Sequence, residues 1–445
     1  MEGDEGRRPL VDSLHRARTV RHRIVEGALM GRVLVVGYGR SGRAAARLHR
    51  ERRDPRPLAI YDDSQDHLAR AKEEGLQAWD GRISEVEQVV WSPGIPLSHP
   101  LATGLTAADC EILSEVAFAA PDLPPVVGVT GTNGKSTVTG LLAHLMTSGG
   151  AQAVAAGNIG LPVSEVAMLR REERPEVVVL ELSSYQLELP LGLSPVGAII
   201  TNLAPDHLDR YADVTTYYRT KWRLVEALEP SGLAVLPKDD EAIEGLAAAF
   251  IPSARLQRCE ARMVEGWPTA ESLSSPSGRT NLAQAATMAR HLGVGEHEIR
   301  QAGQAFDGLP HRRRVVGRYG GRLWINDSKA TNVAAVVAAL ADAEEPVIVL
   351  LGGRGKGEDY RPIARAMEGR RAEAICYGEE GPALARATQG TCVDTLVEAV
   401  ARARQSAPLG ATILLAPACA SFDQFADYAE RGRTFARLAA EGGAE

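Results

Sequence analysis

Short apolar runs that break off at glycine-rich or polar turns recur along the chain. The first are Arg32-Val33-Leu34-Val35-Val36, Leu58-Ala59-Ile60-Tyr61 and the stretch 89–95 that opens with Val89-Val90-Trp91. A second set holds Pro125-Val126-Val127-Gly128-Val129-Thr130, Val177-Val178-Val179-Leu180-Glu181-Leu182, Ala198-Ile199-Ile200-Thr201-Asn202 and residues 233–236. A third holds residues 323–326, 347–351, 374–377 and 412–416. Runs that are apolar throughout, rather than alternating, suit parallel strands buried on both faces. The segments between them carry helical patterns, as at 43–50, 137–146, 215–228 and 281–292. The Ser/Gly/Pro-rich stretch 268–278 reads as a loop. Strands alternating with helices predict an α/β protein of wound parallel sheets, in three domains over 31–113, 114–308 and 309–445. Residues 1–30 are polar and Arg-rich and read as a disordered extension, with no apolar core of a secretory signal.

Composition narrows the function classes. Lys and Arg number 50 against 57 Asp and Glu, a net charge of −7. With aromatics at 5%, this disfavours a protein that coats nucleic acid. Cys110, Cys259, Cys376, Cys392 and Cys419 are far apart and form no CxxC pair. Neither a disulfide framework nor a structural zinc site is expected, and a reducing cytoplasm fits. No apolar run reaches the ~18 residues that a membrane span needs, so no membrane insertion is expected.

Several strand ends carry chemistry. The strand at 32–36 runs into Gly37-Tyr38-Gly39-Arg40-Ser41-Gly42 and a helix, and the next strand ends on Asp62. That is a dinucleotide fingerprint, which marks a Rossmann-like N-terminal domain and, read alone, implies NAD. The strand at 125–130 leads into Gly131-Thr132-Asn133-Gly134-Lys135-Ser136-Thr137 and a helix. This is a phosphate loop in a P-loop ATPase-like central domain, although Val129 stands where the longer pattern has its first Gly. Lys135 can reach β- and γ-phosphates, and Ser136 or Thr137 can ligate Mg²⁺. Glu181 and Asp206-His207-Leu208-Asp209 follow strands of the same block, where ligand crevices lie, and could hold metal or position water. In the C-terminal block, again Rossmann-like, Asp327-Ser328-Lys329-Ala330-Thr331-Asn332 leaves a strand with a lysine that could grip a transferring phosphoryl group. Gly352-Gly353-Arg354-Gly355-Lys356-Gly357 and Pro417-Ala418-Cys419-Ala420-Ser421-Phe422-Asp423-Gln424-Phe425 are further strand ends, and Pro310-His311-Arg312-Arg313-Arg314 is a basic cluster.

Together these segments resemble the Mur ligases, the ATP-dependent amide-bond ligases of peptidoglycan synthesis. The resemblance spans about 31–445. It rests on residues 130–137, on Gly157-Asn158-Ile159-Gly160, on Glu181-Leu182-Ser183-Ser184-Tyr185-Gln186, on Asp206-His207-Leu208-Asp209 and on 327–332. The Gly37 loop with Ser92-Pro93-Gly94-Ile95, and Ser421-Phe422-Asp423-Gln424-Phe425, point to the D-glutamate-adding branch. Asp-Asn-Pro-Arg, the mark of the diaminopimelate- or lysine-adding members, is not present.

The resemblance implies roles. Gly39, Arg40, Ser41, Asp62 and Gly94 would hold the uridine diphosphate of UDP-N-acetylmuramoyl-L-alanine, and Asn158 would touch its sugar-peptide end. Gly131, Thr132, Asn133, Gly134, Lys135, Ser136 and Thr137 would hold ATP, with Asn281 and Arg312 on the nucleotide and Asp327 on its ribose. Ser136, Glu181 and His207 would hold Mg²⁺, two ions in all. Lys329, Thr331, Lys356, Ser421 and Tyr428 would surround D-glutamate. Lys221 aligns with a lysine that the family carries as a carbamate and would serve the second ion. By pattern alone Lys221 is a surface residue of an amphipathic helix, beside Trp222 and Arg223. Lys135, Glu181, His207, Lys221 and Lys329 would then carry the catalysis, in a monomer. Three positions depart from the family pattern: Thr280 for a common His, Arg314 for a common Glu, and Arg354 for an acid.

Two other classes compete. An NAD-dependent dehydrogenase leaves Lys135, Asp206-His207 and Lys329 without a task. A P-loop switch without ligase activity leaves the third block and the Gly37 loop without one.

Overall fold

The structure, a computed structural model, describes residues 31–207 and 210–441. The reading of residues 1–30 lies outside them, as does Asp209. Three sheets follow one another along the chain. The first holds β1 (Arg32–Val36), β2 (Leu58–Tyr61), β3 (Gln77–Ala78), β4 (Val86–Trp91) and β5 (Glu111–Ser114), all parallel, in the order β3-β2-β1-β4-β5. The second holds β6 (Val126–Thr130), β7 (Ala153–Gly157), β8 (Val177–Glu181), β9 (Gly197–Ile200), β10 (Leu233–Pro237) and β11 (Arg255–Cys259), also all parallel, in the order β11-β10-β9-β6-β8-β7. The third holds β12 (Arg314–Tyr319), β13 (Arg322–Asn326), β14 (Val347–Gly352), β15 (Ala372–Tyr377), β16 (Thr391–Cys392) and β17 (Thr412–Ala418), in the order β12-β13-β17-β14-β15-β16. Only its edge strand β12 runs antiparallel.

The apolar runs are covered on both faces, as a parallel sheet requires. In β8, Val178 and Leu180 enter one core, while Val177 and Val179 enter the core on the opposite face. The helices Arg40–Glu51 and Val163–Ala167 contribute to one apolar cluster and so join the first sheet to the second. Residues 268–278 are not wholly loop. Ser275 accepts a hydrogen bond from the Gly278 N–H, Pro276 occupies the first turn, and the helix Pro276–His291 starts there. Ser as cap followed by Pro is a helix-start signal, because Pro lacks only a donor that would be orphaned anyway.

Register lines up the strand ends that matter. Val129 of β6 pairs with Glu181 of β8, and Glu181 with Gly157 of β7. The turns after these three strands therefore open side by side. In the third sheet Asn326 pairs with Leu415, and Gly352 with Ala418, so the turns after β13, β14 and β17 do the same.

Candidate active site

The phosphate loop joins β6 to the helix Lys135–Ser148. Gly131 has φ +139°, and a Cβ there would lie 2.0 Å from the Thr201 hydroxyl oxygen, so only glycine fits. The Asn202 side chain accepts from the Asn133 N–H at 3.0 Å, and Thr132 is tied to Ala204. Lys135 curls back over the loop, donating to the carbonyls of Gly131 (3.0 Å) and Thr132 (2.8 Å). Burial pushes its ammonium pKa down, against the opposing pull of Glu181.

Glu181 is 1% exposed and gathers this region. It accepts from the Ser136 hydroxyl on one oxygen and from the Asn158 amide at 2.7 Å on the other. Arg312 reaches across from the third sheet's side to the same Ser136 hydroxyl. Among the described residues, no three His, Cys, Asp or Glu side chains are grouped to hold a metal by themselves. Ser136 and Glu181 nevertheless form an oxygen pair suited to Mg²⁺, which binds through one or two carboxylates plus substrate phosphates.

Lys221 is not at the surface. It is 1% exposed, on the helix Val214–Glu226, and its ammonium nitrogen donates to the Gly131 carbonyl at 2.8 Å. Packing explains the close approach. Gly128 of β6 has no side chain, and a Cβ there would lie 2.5 Å from Leu224 of the helix. Tyr217, Trp222, Leu224 and Val225 are buried from the same helix, each apolar side chain contributing about 1.5–3 kcal/mol. Lys135 and Lys221 thus share one carbonyl oxygen. Burial first, and then the Lys135 charge, hold Lys221 well below the ordinary lysine range.

His207 lies in the segment that follows β9. Its backbone φ is +55°, Nδ1 hydrogen-bonds the Tyr185 hydroxyl at 2.7 Å, and Nε2 lies 3.6 Å from Asp206. Asp206 accepts from the Asn332 amide at 2.8 Å, which brings the third sheet's side onto the central one. Asn332 also approaches the Asn133 side chain at 3.3 Å.

Asn133, Gly134, Thr137, Asn281, Arg312, Asp327 and Lys329 line one cleft of about 160 Å³ between the second and third sheets. Burial raises the Asp327 carboxyl to about 6, with Arg313 and Arg312 opposing. Burial, then the Arg312 charge, lowers Lys329 to about 8, and its ammonium lies 4.2 Å from the centre of the Tyr428 ring. The charge of Lys356 acts on both Lys329 and Lys135. Thr331 is half-buried and Ser421 is 2% exposed, both at the ends of third-sheet strands. The buried Arg431 donates to Ser328, Cys419 and Gly352, and so ties those strand ends together.

The residues of the first fingerprint form a second group. Asp62 accepts from the Tyr38 N–H at 2.5 Å, the Ser64 N–H at 2.8 Å and His67 at 2.9 Å. Ser41 hydrogen-bonds the buried carboxyl of Glu115, which also accepts from the Ser164 N–H at 2.9 Å. Arg40 donates to the Gly160 carbonyl, linking this group to the loop that carries Asn158. Gly39 caps the helix, and Gly94 is exposed on the neighbouring turn.

The three departures are absorbed locally. Thr280 bonds back to the Pro276 carbonyl, Arg314 to the Asp307 carbonyl, and Arg354 pairs with Glu379 at 2.9 Å on the surface. Sequence reasoning missed Tyr185, Glu188, Arg210 and Glu115 as parts of the site. A signal existed for both Tyr185, which lies within the quoted segment 181–186, and Arg210, which directly follows 206–209.

Profiles of the Mur ligase middle domain and of the Mur ligase glutamate ligase domain match residues 129–256 and 311–419. A UDP-N-acetylmuramoylalanine–D-glutamate ligase of Myxococcus xanthus is 36% identical over 451 aligned residues, covering 92% of this chain and 98% of that protein. One from Sphingopyxis alaskensis is 39% identical over 371, covering 78% and 82%. Among solved structures, the UDP-N-acetylmuramate-alanine ligase of Thermotoga maritima has the same fold at a TM-score of 0.53, with 16% identity over 91% of this chain and 98% of that one. MurF of Acinetobacter baumannii reaches 0.56 at 16% identity, over 81% and 87%. Profiles, relatives and fold agree, and the chain belongs to the Mur ligase family.

Proposed function

We propose that this chain is the ATP-dependent ligase that adds D-glutamate to UDP-N-acetylmuramoyl-L-alanine, acting as a monomer in the cytoplasm. Residues 31–113 would bind the UDP-substrate, 114–308 ATP, and 309–445 the amino acid. The observation that carries this is that Arg312, Asp327 and Lys329 line one cleft with Asn133, Gly134 and Thr137 of the phosphate loop, while Arg312 also reaches Ser136 and the Lys135 charge acts on Lys329. The names of the curated relatives supply the substrates.

A carboxylate is a poor acceptor, because an amine cannot expel oxide. The L-alanyl carboxylate oxygen attacks the γ-phosphorus of ATP, the bond to the β–γ bridging oxygen breaks, and ADP leaves. The amine of D-glutamate then attacks the acyl phosphate carbon, and the tetrahedral intermediate expels phosphate as the amine loses its proton. Negative charge gathers at the transferring phosphoryl group, where Lys135, Arg312 and Lys329 would neutralise it. Mg²⁺ on Ser136 and Glu181 would add charge neutralisation at the nucleotide phosphates, and a second ion would use His207 and a carbamylated Lys221. Lys329, Thr331, Lys356, Ser421 and Tyr428 would enclose D-glutamate, with the two lysines facing its carboxylates. Gly39, Arg40, Ser41, Asp62 and Gly94 in the first domain would hold the diphosphate end, and Asn158, which Arg40 approaches through the Gly160 carbonyl, would meet the sugar-peptide end from the central domain.

Calorimetric titration tests the first domain. UDP-N-acetylmuramoyl-L-alanine should bind, and NADH should give no heat at the same concentrations. Tight NADH binding with no response to the UDP-sugar would return the fingerprint to dehydrogenase chemistry.

A pH profile tests the amino-acid pocket. Lys329 must be charged to meet a carboxylate, and its folded pKa is lowered to about 8. The charge is present below that value and lost as pH rises through it. The kcat/KM for D-glutamate, which reports the free enzyme, should therefore fall above about 8. Lys329→Arg should remove that limb from the residual activity. If the limb persists unchanged in the variant, another group is titrating.

A further inference from the structure

We propose that Arg210 is a positioning residue that links the first domain's turn at 92–95 to the imidazole of His207. The proposal rests on the ligase reading above. The side chain is 11% exposed and the contacts of its guanidinium run in two directions. Toward the first sheet it donates to the Pro93 carbonyl at 3.1 Å, in the turn that follows β4. Toward the second it meets Glu188 with both ends of a fork, at 2.8 and 2.6 Å, and its carbon lies 3.9 Å from the centre of the Tyr185 ring. Tyr185 in turn places its hydroxyl 2.7 Å from Nδ1 of His207.

Each link constrains the next. The paired carboxylate fixes the plane of the guanidinium, and only Arg among cations offers a planar fork and a stacking face together. The stacked plane fixes the Tyr185 ring, which holds the hydroxyl at Nδ1. A hydrogen bond at Nδ1 sets the orientation of the ring and leaves Nε2 to face Asp206. His207 needs such support because its own backbone is in the left-handed region, at φ +55°. The turn at 92–95 opens beside the Gly37 loop, with Ser92 and Ile95 against Gly37. A ligand seated on that turn thus has a short route of contacts to the central site, and the arrangement lets the UDP-substrate bias the imidazole. The phosphate loop contacts of Lys135 and Ser136 do not pass through this chain of groups.

The test uses the full-length enzyme and three variants: Arg210→Lys, Tyr185→Phe and the double variant. Tyr185→Phe keeps the stacking ring and removes only the hydroxyl, so it remains informative if Arg210→Lys is unstable. Each single variant should lower kcat about tenfold or more, as expected for a misplaced catalytic group, with the KM for ATP unchanged. The double variant should fall no further than the worse single, because both break one route. Losses that multiply, an unchanged kcat, or a KM for ATP that rises in step would overturn the proposal. If the unsubstituted enzyme forms no ADP with the UDP-sugar peptide and D-glutamate, the ligase reading itself has failed, which these comparisons distinguish.

Discussion

Lys135→Ala is expected to abolish ADP formation while the protein stays folded. The side chain begins the helix Lys135–Ser148 and donates to two loop carbonyls, whereas the apolar anchors of that helix are Val138, Leu141, Leu142, Leu145 and Met146. Its loss therefore removes charge from the phosphate site and little packing. Removing one preorganised donor from a developing charge costs on the order of a hundred- to a thousandfold in kcat. Here the group is a cation facing phosphates, so the upper end is expected. Coupled-enzyme detection of ADP, beside a thermal melt within a few degrees of the parent, checks both halves. Normal ADP formation by a folded variant would remove the phosphate-loop assignment.

Lys221→Ala is expected to be nearly inactive and to recover in part when small carboxylates such as acetate or formate are added. Lys221 shares the Gly131 carbonyl with Lys135, and the two ammonium groups repel in a buried place. The lowered pKa favours the neutral amine, the form that adds to CO₂ to give a carbamate and release a proton. The product replaces a cation by an anion with two oxygens, the donors Mg²⁺ prefers. A loss of about a hundredfold or more is expected, since alanine supplies no oxygen donor to the ion. Intact-protein mass under bicarbonate should show the added CO₂ only when Lys221 is present. A fully active Lys221→Ala protein would refute the role.

The buried parallel strands were legible because burial on both faces leaves continuous apolar runs, as in Val177-Val178-Val179-Leu180. Edge strands were not. β11, Arg-Leu-Gln-Arg-Cys, pairs on one side only, so its polar residues hide it, and β12 went unread, with only its first residue Arg314 in the basic cluster 310–314. The turn residues of the site were legible too, because Gly131 and Lys135 are dictated locally by the loop. What brings the blocks together was not. Arg312 meets Ser136 across 176 positions and Asn332 meets Asp206 across 126, separations at which no periodicity speaks. The depth of Lys221 was hidden for a related reason. The side that it presents is set by Leu224 seating over Gly128, a contact between elements distant in sequence.

The central claim is that ATP is spent only when both partners of the amide are present. Steady-state ADP release should be measured with ATP and Mg²⁺ alone, with UDP-N-acetylmuramoyl-L-alanine added, with D-glutamate added, and with both. The account predicts sustained release only with both, one ADP for each amide formed. Equal release from ATP alone, or full release with D-glutamate replaced by L-glutamate, would contradict it.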